Sequence, residues 1–158
     1  MTRHGILITL SAKRLAQLTE DPETLEDVID ARDEAPIPGL LDLGNAWDAL
    51  DVLVSDRGNH AVLGDALLAR SGKELEDMAF DHVRLLGPAR VAEVAKALTA
   101  LPAKLVSERY PTLASKKLEG GLGKDTEEIE GLELLLRRVI ALYQDAAKLQ
   151  HSMLSLLV

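Results

Sequence analysis

The stretch Leu40-Leu-Asp-Leu-Gly-Asn-Ala-Trp-Asp-Ala-Leu-Asp-Val-Leu-Val54 holds the only tryptophan of the chain. Leu43, Ala46, Trp47, Leu50, Leu53 and Val54 recur at the three-and-four spacing of one helical stripe, which predicts a helix across this stretch. Asp48, Asp51 and Asp56 fall off that stripe, so the expected helix has one buried face and one wet, acidic face. Aromatic residues make up 3% of the chain, and a ring the size of Trp47 supplies a large share of the burial available to its core.

The chain has 158 residues, with 47% hydrophobic and 28% charged. That length and balance predict one folded domain over 1–158 with a single core built from Leu, Val, Ile and Ala. With no cysteine there is no disulfide, thiolate nucleophile or cysteine-based metal site. The apolar run near the N-terminus is too short for a secretory core or a membrane span, so a cytoplasmic location is expected.

Charge is unevenly placed. Between Glu20 and Glu34 lie Glu20, Asp21, Glu23, Glu26, Asp27, Asp30, Asp33 and Glu34 against Arg32 alone, so nearly all of the net charge of −8 sits in one segment. Such a surface repels nucleic acid and anionic lipid and attracts a basic protein. Its ordinary reading is a solvated helix face kept charged for solubility. Its functional reading is a partner surface, with Glu23, Glu26, Asp27 and Asp30 as the candidate contacts.

Outward from the tryptophan segment, Gly5 to Leu10 is β-branched and apolar and predicts a first strand with Ile6, Ile8 and Leu10 on one side. Ser11 caps a helix carrying Leu15 and Leu18. Asp21-Pro22 opens a second, with Leu25, Val28 and Ile29 buried and the acids outside. After the loop Ala35 to Gly39 and the tryptophan helix, Val62, Leu63, Ala66 and Leu67 suggest a short helix within His60 to Arg70, with a strand as the alternative. Ser71 and Glu74 have capping-box spacing, which predicts a helical turn through Leu75 and Met78. His82 to Leu86 reads as a second strand. Pro88 opens a helix lined by Val91, Val94, Ala95 and Leu98. Pro102 opens a shorter one through Leu105 and Val106 that Pro111 breaks. Ser115 to Lys124 reads as a flexible loop, and Asp125 with Glu128 as a capping box for the longest helix, striped by Ile129, Leu132, Leu136, Val139, Tyr143 and Ala146. Met153 to Val158 is expected to be a terminal strand buried in a sheet. The predicted class is thus α+β: a small sheet of about three strands packed by several helices, with a long C-terminal helix before the last strand.

Leu41-Asp-Leu-Gly-Asn-Ala-Trp-Asp-Ala-Leu-Asp-Val-Leu53, Arg84-Leu-Leu-Gly-Pro88 leading into Val91-Ala-Glu-Val-Ala-Lys-Ala-Leu98, Arg109-Tyr110 and Leu142-Tyr-Gln-Asp-Ala-Ala147, taken in this order, resemble the YfbM-like family of bacterial domains of unknown function. The resemblance implies an α+β fold and no assigned reaction. The chain departs from the family pattern in having Asp48 and Asp51 where histidines are common, Ala69-Arg70 at a Gly-Gly pair, and Asp81-His-Val-Arg84 at a Tyr-Gly-Pro-Ala-Arg run. It also lacks tyrosine and tryptophan in the loop 117–124.

The candidate chemistry is sparse. Gly120-Gly-Leu-Gly-Lys-Asp-Thr126 has glycines before a lysine, but the spacing is wrong for a phosphate-binding loop and Asp125 stands where a hydroxyl is needed. His4, His60, His82 and His151 show no metal-ligand spacing, and no cofactor is expected. A carboxylate such as Asp81 could orient the His82 imidazole for acid–base work, but neighbours on a strand face opposite sides. Arg84, inside an apolar strand, needs a carboxylate or backbone partner, and Asp42, Asp48 and Asp51 are the candidates. No catalytic residue is assigned. The expected function is a non-enzymatic module binding a basic protein, in a more specific form an immunity- or antitoxin-like neutraliser. The alternative is a small-ligand receptor or enzyme with a pocket near Arg84, His82, Asp48 and Asp51 on the tryptophan helix. Self-association through an uncovered apolar helix face is a third option.

Overall fold

The computed structural model describes residues 3–119 and 126–158. β1 (Gly5–Leu10) leads into α1 (Ala12–Glu20) and α2 (Glu23–Ala31), followed by β2 (Leu40–Gly44), α3 (Trp47–Ser55) and the short α4 (Asp65–Leu68). Then come β3 (Lys73–Glu74), β4 (His82–Leu86), α5 (Pro88–Thr99), α6 (Leu105–Arg109), a 3-10 segment (Tyr110–Ser115), α7 (Thr126–Lys148) and β5 (Ser152–Leu157). The strands form one sheet in the order β2-β1-β5-β4-β3. Every pairing is antiparallel. The α+β class holds, and the expected three strands become five. The two that sequence patterning misses are the edges, β2 and β3.

The terminal strand takes the centre. All six β5 residues are buried, which is why it reads as an almost unbroken apolar run. Ser155 is tolerated there because its hydroxyl donates to the Leu67 carbonyl. Alternation along β1 sends Ile6, Ile8 and Leu10 to one core with Leu18, Leu25, Ile29, Val83, Leu154 and Leu156. Leu7 joins the other, which contains α3 to α7. Among the described residues the seven α-helices thus divide unequally, with α1 and α2 on one face beside Leu75, Met78 and Phe80.

The tryptophan segment is not one helix. Gly39 and Gly44 both have positive φ, +78° and +57°, and between them Leu40, Leu41 and Asp42 pair with β1. The Gly44 amide donates to Asp42 Oδ1 at 2.8 Å, turning the chain before α3 begins. Ladder hydrogen bonds from β1, which local periodicity cannot reveal, outweigh helical propensity here.

Trp47 is buried as expected, at 6% exposure, and its Nε1–H donates to the Arg3 carbonyl at 3.0 Å. The wet acidic face expected for this helix does not exist at Asp48 and Asp51. Every residue of α3 is buried, Asp51 at 1% exposure, because the helix lies between the sheet and the α4, α6 and 3-10 segments. Asp56 is exposed and ends α3 with φ +49°.

The capping box at Ser71 and Glu74 does not form. The Ser71 amide and hydroxyl both go to Asp65, and Lys73–Glu74 pair with β4 as a charged two-residue edge. The helix expected over His60 to Arg70 shrinks to the four residues of α4, ended by Ala69 at φ +49°. Of the cap and loop expected before α7, residues 120–125 lie outside the described residues, and with them most of the glycine-lysine motif.

Candidate functional site

Three carboxylates enter the larger core on α3 and α4, and each meets one arginine. Asp48 Oδ2 accepts from Arg57 Nη2 at 3.3 Å and from the Glu119 amide at 2.9 Å, while Arg57 Nη2 also donates to the Lys117 carbonyl at 2.6 Å. Asp51 accepts from Arg70 through both oxygens, Nη1 to Oδ1 at 2.7 Å and Nη2 to Oδ2 at 2.5 Å, and from the Ser55 hydroxyl at 3.2 Å. Asp65 accepts from Arg90 Nε at 2.7 Å and from the Ser71 amide at 2.7 Å.

Local backbone explains why these partners meet. The left-handed turn at Ala69, unfavourable by about 1 kcal/mol for a residue with a Cβ, swings Arg70 back toward α3. Arg70 Nη1 then also donates to the Gly64 carbonyl at 2.9 Å, closing the 64–70 turn on itself. From α7, the Tyr143 hydroxyl donates to the Ala66 carbonyl at 2.7 Å. Burial raises the Tyr143 pKa strongly, and Asp65 adds to the rise. For Asp65, burial pushes the carboxyl up, and the Ser71 hydroxyl, the Ser71 amide and Arg90 together outweigh it, leaving the group below its ordinary 3.8. The Asp51 hydrogen bonds raise Arg70 above its ordinary value.

The structure brings Arg84, His82, Asp48 and Asp51 to the same side of the sheet, but not as expected. Among the described residues Arg84 has no carboxylate partner. Its Nη1 donates to the carbonyls of Arg70 at 3.3 Å and Gly72 at 3.4 Å, while Asp42 takes Arg32 at 3.2 Å, Asp48 takes Arg57 and Asp51 takes Arg70. The carbonyls of the 70–72 turn come within reach of β4, whereas the aspartates are already neutralised. His82 Nε2 lies 2.9 Å from the Leu68 carbonyl and must carry its proton there. Burial is the main cause that lowers the His82 pKa, with Arg84 adding to it. Asp81 is exposed.

Arg57, Asp65, Arg70, Ser71, Arg90 and Tyr143 were not legible as site residues. The usable signal was acids embedded in apolar runs, Ala-Leu-Asp-Val-Leu and Gly-Asp-Ala-Leu-Leu, where burial forces a cation to be found. Chemically the carboxylates of the cluster are spent on their arginines and the imidazole on a carbonyl, while Arg84 is held by the carbonyls of Arg70 and Gly72. It clamps residues 64–72 between α3 and β4. Among the described residues no group of three His, Asp or Glu is placed to hold a metal ion.

The opposite face differs. Glu23, Asp27 and Asp30 are exposed and Glu26 half-buried on α2, and among the described residues these carboxylates pair with no cation. Between α1 and α2 lies a groove of about 330 Å³ whose floor is Ile8, Leu10, Leu18, Leu25 and Val28. Arg14, Gln17, Glu20, Asp21 and Thr24 form its rim. No described helix is long and apolar enough to cross a membrane.

Comparison with curated proteins finds no match. Among solved structures, the chain is similar to YfbM from Escherichia coli, a protein of unknown function, at 18% identity and a TM-score of 0.72, over 98% of this chain and 99% of that one. That likeness is one of fold. The family model described as a domain of unknown function, DUF1877, matches residues 1–156, and the chain belongs to that family, in keeping with the YfbM-like order of its segments.

Proposed function

We propose that this chain is a protein-interaction module whose partner is basic and whose contact surface is the α1–α2 layer. The observation that carries the reading is the apolar groove between α1 and α2, rimmed by Glu20 and Asp21, in the same helical layer as the unneutralised carboxylates of Glu23, Glu26, Asp27 and Asp30 on α2. Apolar area supplies affinity, and the surrounding charge selects a basic partner and speeds encounter. An immunity- or antitoxin-like neutraliser of a basic effector is the narrower form of the same reading.

The test is capture on the immobilised protein at low and moderate salt, beside a variant with all four acids changed to Gln or Asn. A specific basic partner held by the parent at both salts and lost from the variant supports the reading. Equal capture by both proteins, or no specific partner, overturns it.

A second reading, a small-ligand receptor or enzyme at Arg84, His82, Asp48 and Asp51, is favoured by their convergence on one sheet face. Against it stands the mutual satisfaction of the cluster. A metabolite that raises the melting temperature of the parent but not of an Arg84→Met variant would support it.

A further inference from the structure

We infer that the groove over β1 seats the apolar stripe of a basic amphipathic helix running antiparallel to α1. This rests on the interaction-module reading and adds what the partner segment is and how it lies.

The first ground is coverage. On this side of a five-stranded sheet the helices are α1 and α2, nine residues and about 13 Å each, with Leu75, Met78 and Phe80 packed beside them, whereas the other side carries five helices. Where α1 and α2 part, the side chains of Leu18, Leu25 and Val28 border open space above Ile8 and Leu10. A volume of about 330 Å³ takes two or three aliphatic side chains, the number that one face of a short helix presents at i, i+3 or i+4, and i+7.

The second ground is the charge order of α1. A helix favours acids in its first turn and bases in its last. In α1 the first turn has no acid and the last turn no base. Instead Lys13 and Arg14 stand near the N-terminus and Glu20 at the end, followed by Asp21. This order opposes the dipole of α1 itself. It complements a helix laid alongside in the opposite sense, whose C-terminal carbonyls would face Arg14 and whose N-terminal amides and basic side chains would face Glu20 and Asp21. Arg14 and Glu20 are about 9 Å apart along the axis, close to the span of two helical turns. Both are exposed, and among the described residues neither side chain has a hydrogen bond or ion pair.

The probe is a dye-labelled Leu/Lys peptide about 14 residues long with leucines on one stripe. Its controls are the same composition with the stripe scrambled, and the Leu/Glu counterpart. Anisotropy should show the striped Leu/Lys peptide binding about tenfold more tightly than either control, with amide shifts concentrated between Leu10 and Val28. A spin label on the peptide N-terminus should broaden amides around Glu20 and Asp21, and one on its C-terminus those around Arg14. The swap Arg14→Glu/Glu20→Lys restores favourable charge order within α1, so it should leave the melting temperature unchanged or raised while weakening the peptide about tenfold. A merely structural role for these two residues would lower the melting temperature instead.

Equal binding of the controls, the reversed labelling pattern, shifts centred on other surfaces, or tight binding by the swap variant would each overturn the inference. Loss of binding only when Glu23, Glu26, Asp27 and Asp30 are neutralised, with the swap variant unaffected, would overturn this groove assignment while leaving the interaction-module reading intact.

Discussion

Replacing Arg70 by Met should expose how the larger core tolerates its acids. Asp51 is 1% exposed and takes both guanidinium nitrogens of Arg70, at 2.7 and 2.5 Å, with the Ser55 hydroxyl as its remaining side-chain donor at 3.2 Å. Removing the cation strands a buried carboxylate, for which losses of about 3–5 kcal/mol are typical. The Arg70 side chain is itself 33% exposed, so water can enter part of its vacated space, and we place the loss at about 3 kcal/mol. In a domain of this size that is a fall of about 6–12 °C in melting temperature. Removing both charges in Asp51→Leu/Arg70→Met should recover most of the loss, since the buried ion is gone and two apolar side chains fill similar space. The assay is urea unfolding followed by Trp47 fluorescence, with equal m-values required before midpoints are compared. A loss below about 1 kcal/mol for Arg70→Met, or a double variant no better than the single, would refute the claim that the arginine is there to neutralise a buried carboxylate.

Asp65→Asn tests the neighbouring pair through pH. The folded-state pKa of Asp65 lies below its ordinary 3.8, so its contribution is present above that value and is lost as pH falls through the folded one. The stability gap between parent and variant, measured by urea midpoints, should therefore narrow as pH falls below about 4. Tyr143→Phe removes a fully buried hydroxyl that donates to Ala66, and should cost about 1–2 kcal/mol. In spectrophotometric titration of the parent, Tyr143 should ionise only as the protein unfolds, because burial raises its pKa. Gly5→Ala would place a Cβ 2.6 Å from Trp47 Cβ, so the strand or the indole must shift, destabilising the fold by about 1–3 kcal/mol. A red-shifted, more readily quenched tryptophan should accompany that loss.

Residue order alone dictates the elements whose pattern is local. α1, α2, α5 and α7 follow from three-and-four spacing, Ser11 as a cap and Pro88 as a first helical residue, because one face of each is buried and the other wet, while β1 and β4 follow from short apolar runs, β1 being buried on both faces. The burial of Trp47 followed likewise. Where an element is covered all round, that contrast disappears, which is why α3 misled: Asp48 and Asp51 looked solvent-facing and are enclosed. Residues 40–44 and 73–74 become strands through the assembled fold and not through their own pattern, because their hydrogen bonds come from β1 and β4. The same holds for which cation neutralises which acid. Asp48 and Arg57, Asp51 and Arg70, and Asp65 and Arg90 are separated by 9, 19 and 25 residues, distances over which no helical or strand period runs. Their meeting depends on the path of the chain between them, and the energy of a buried charge then fixes the partner.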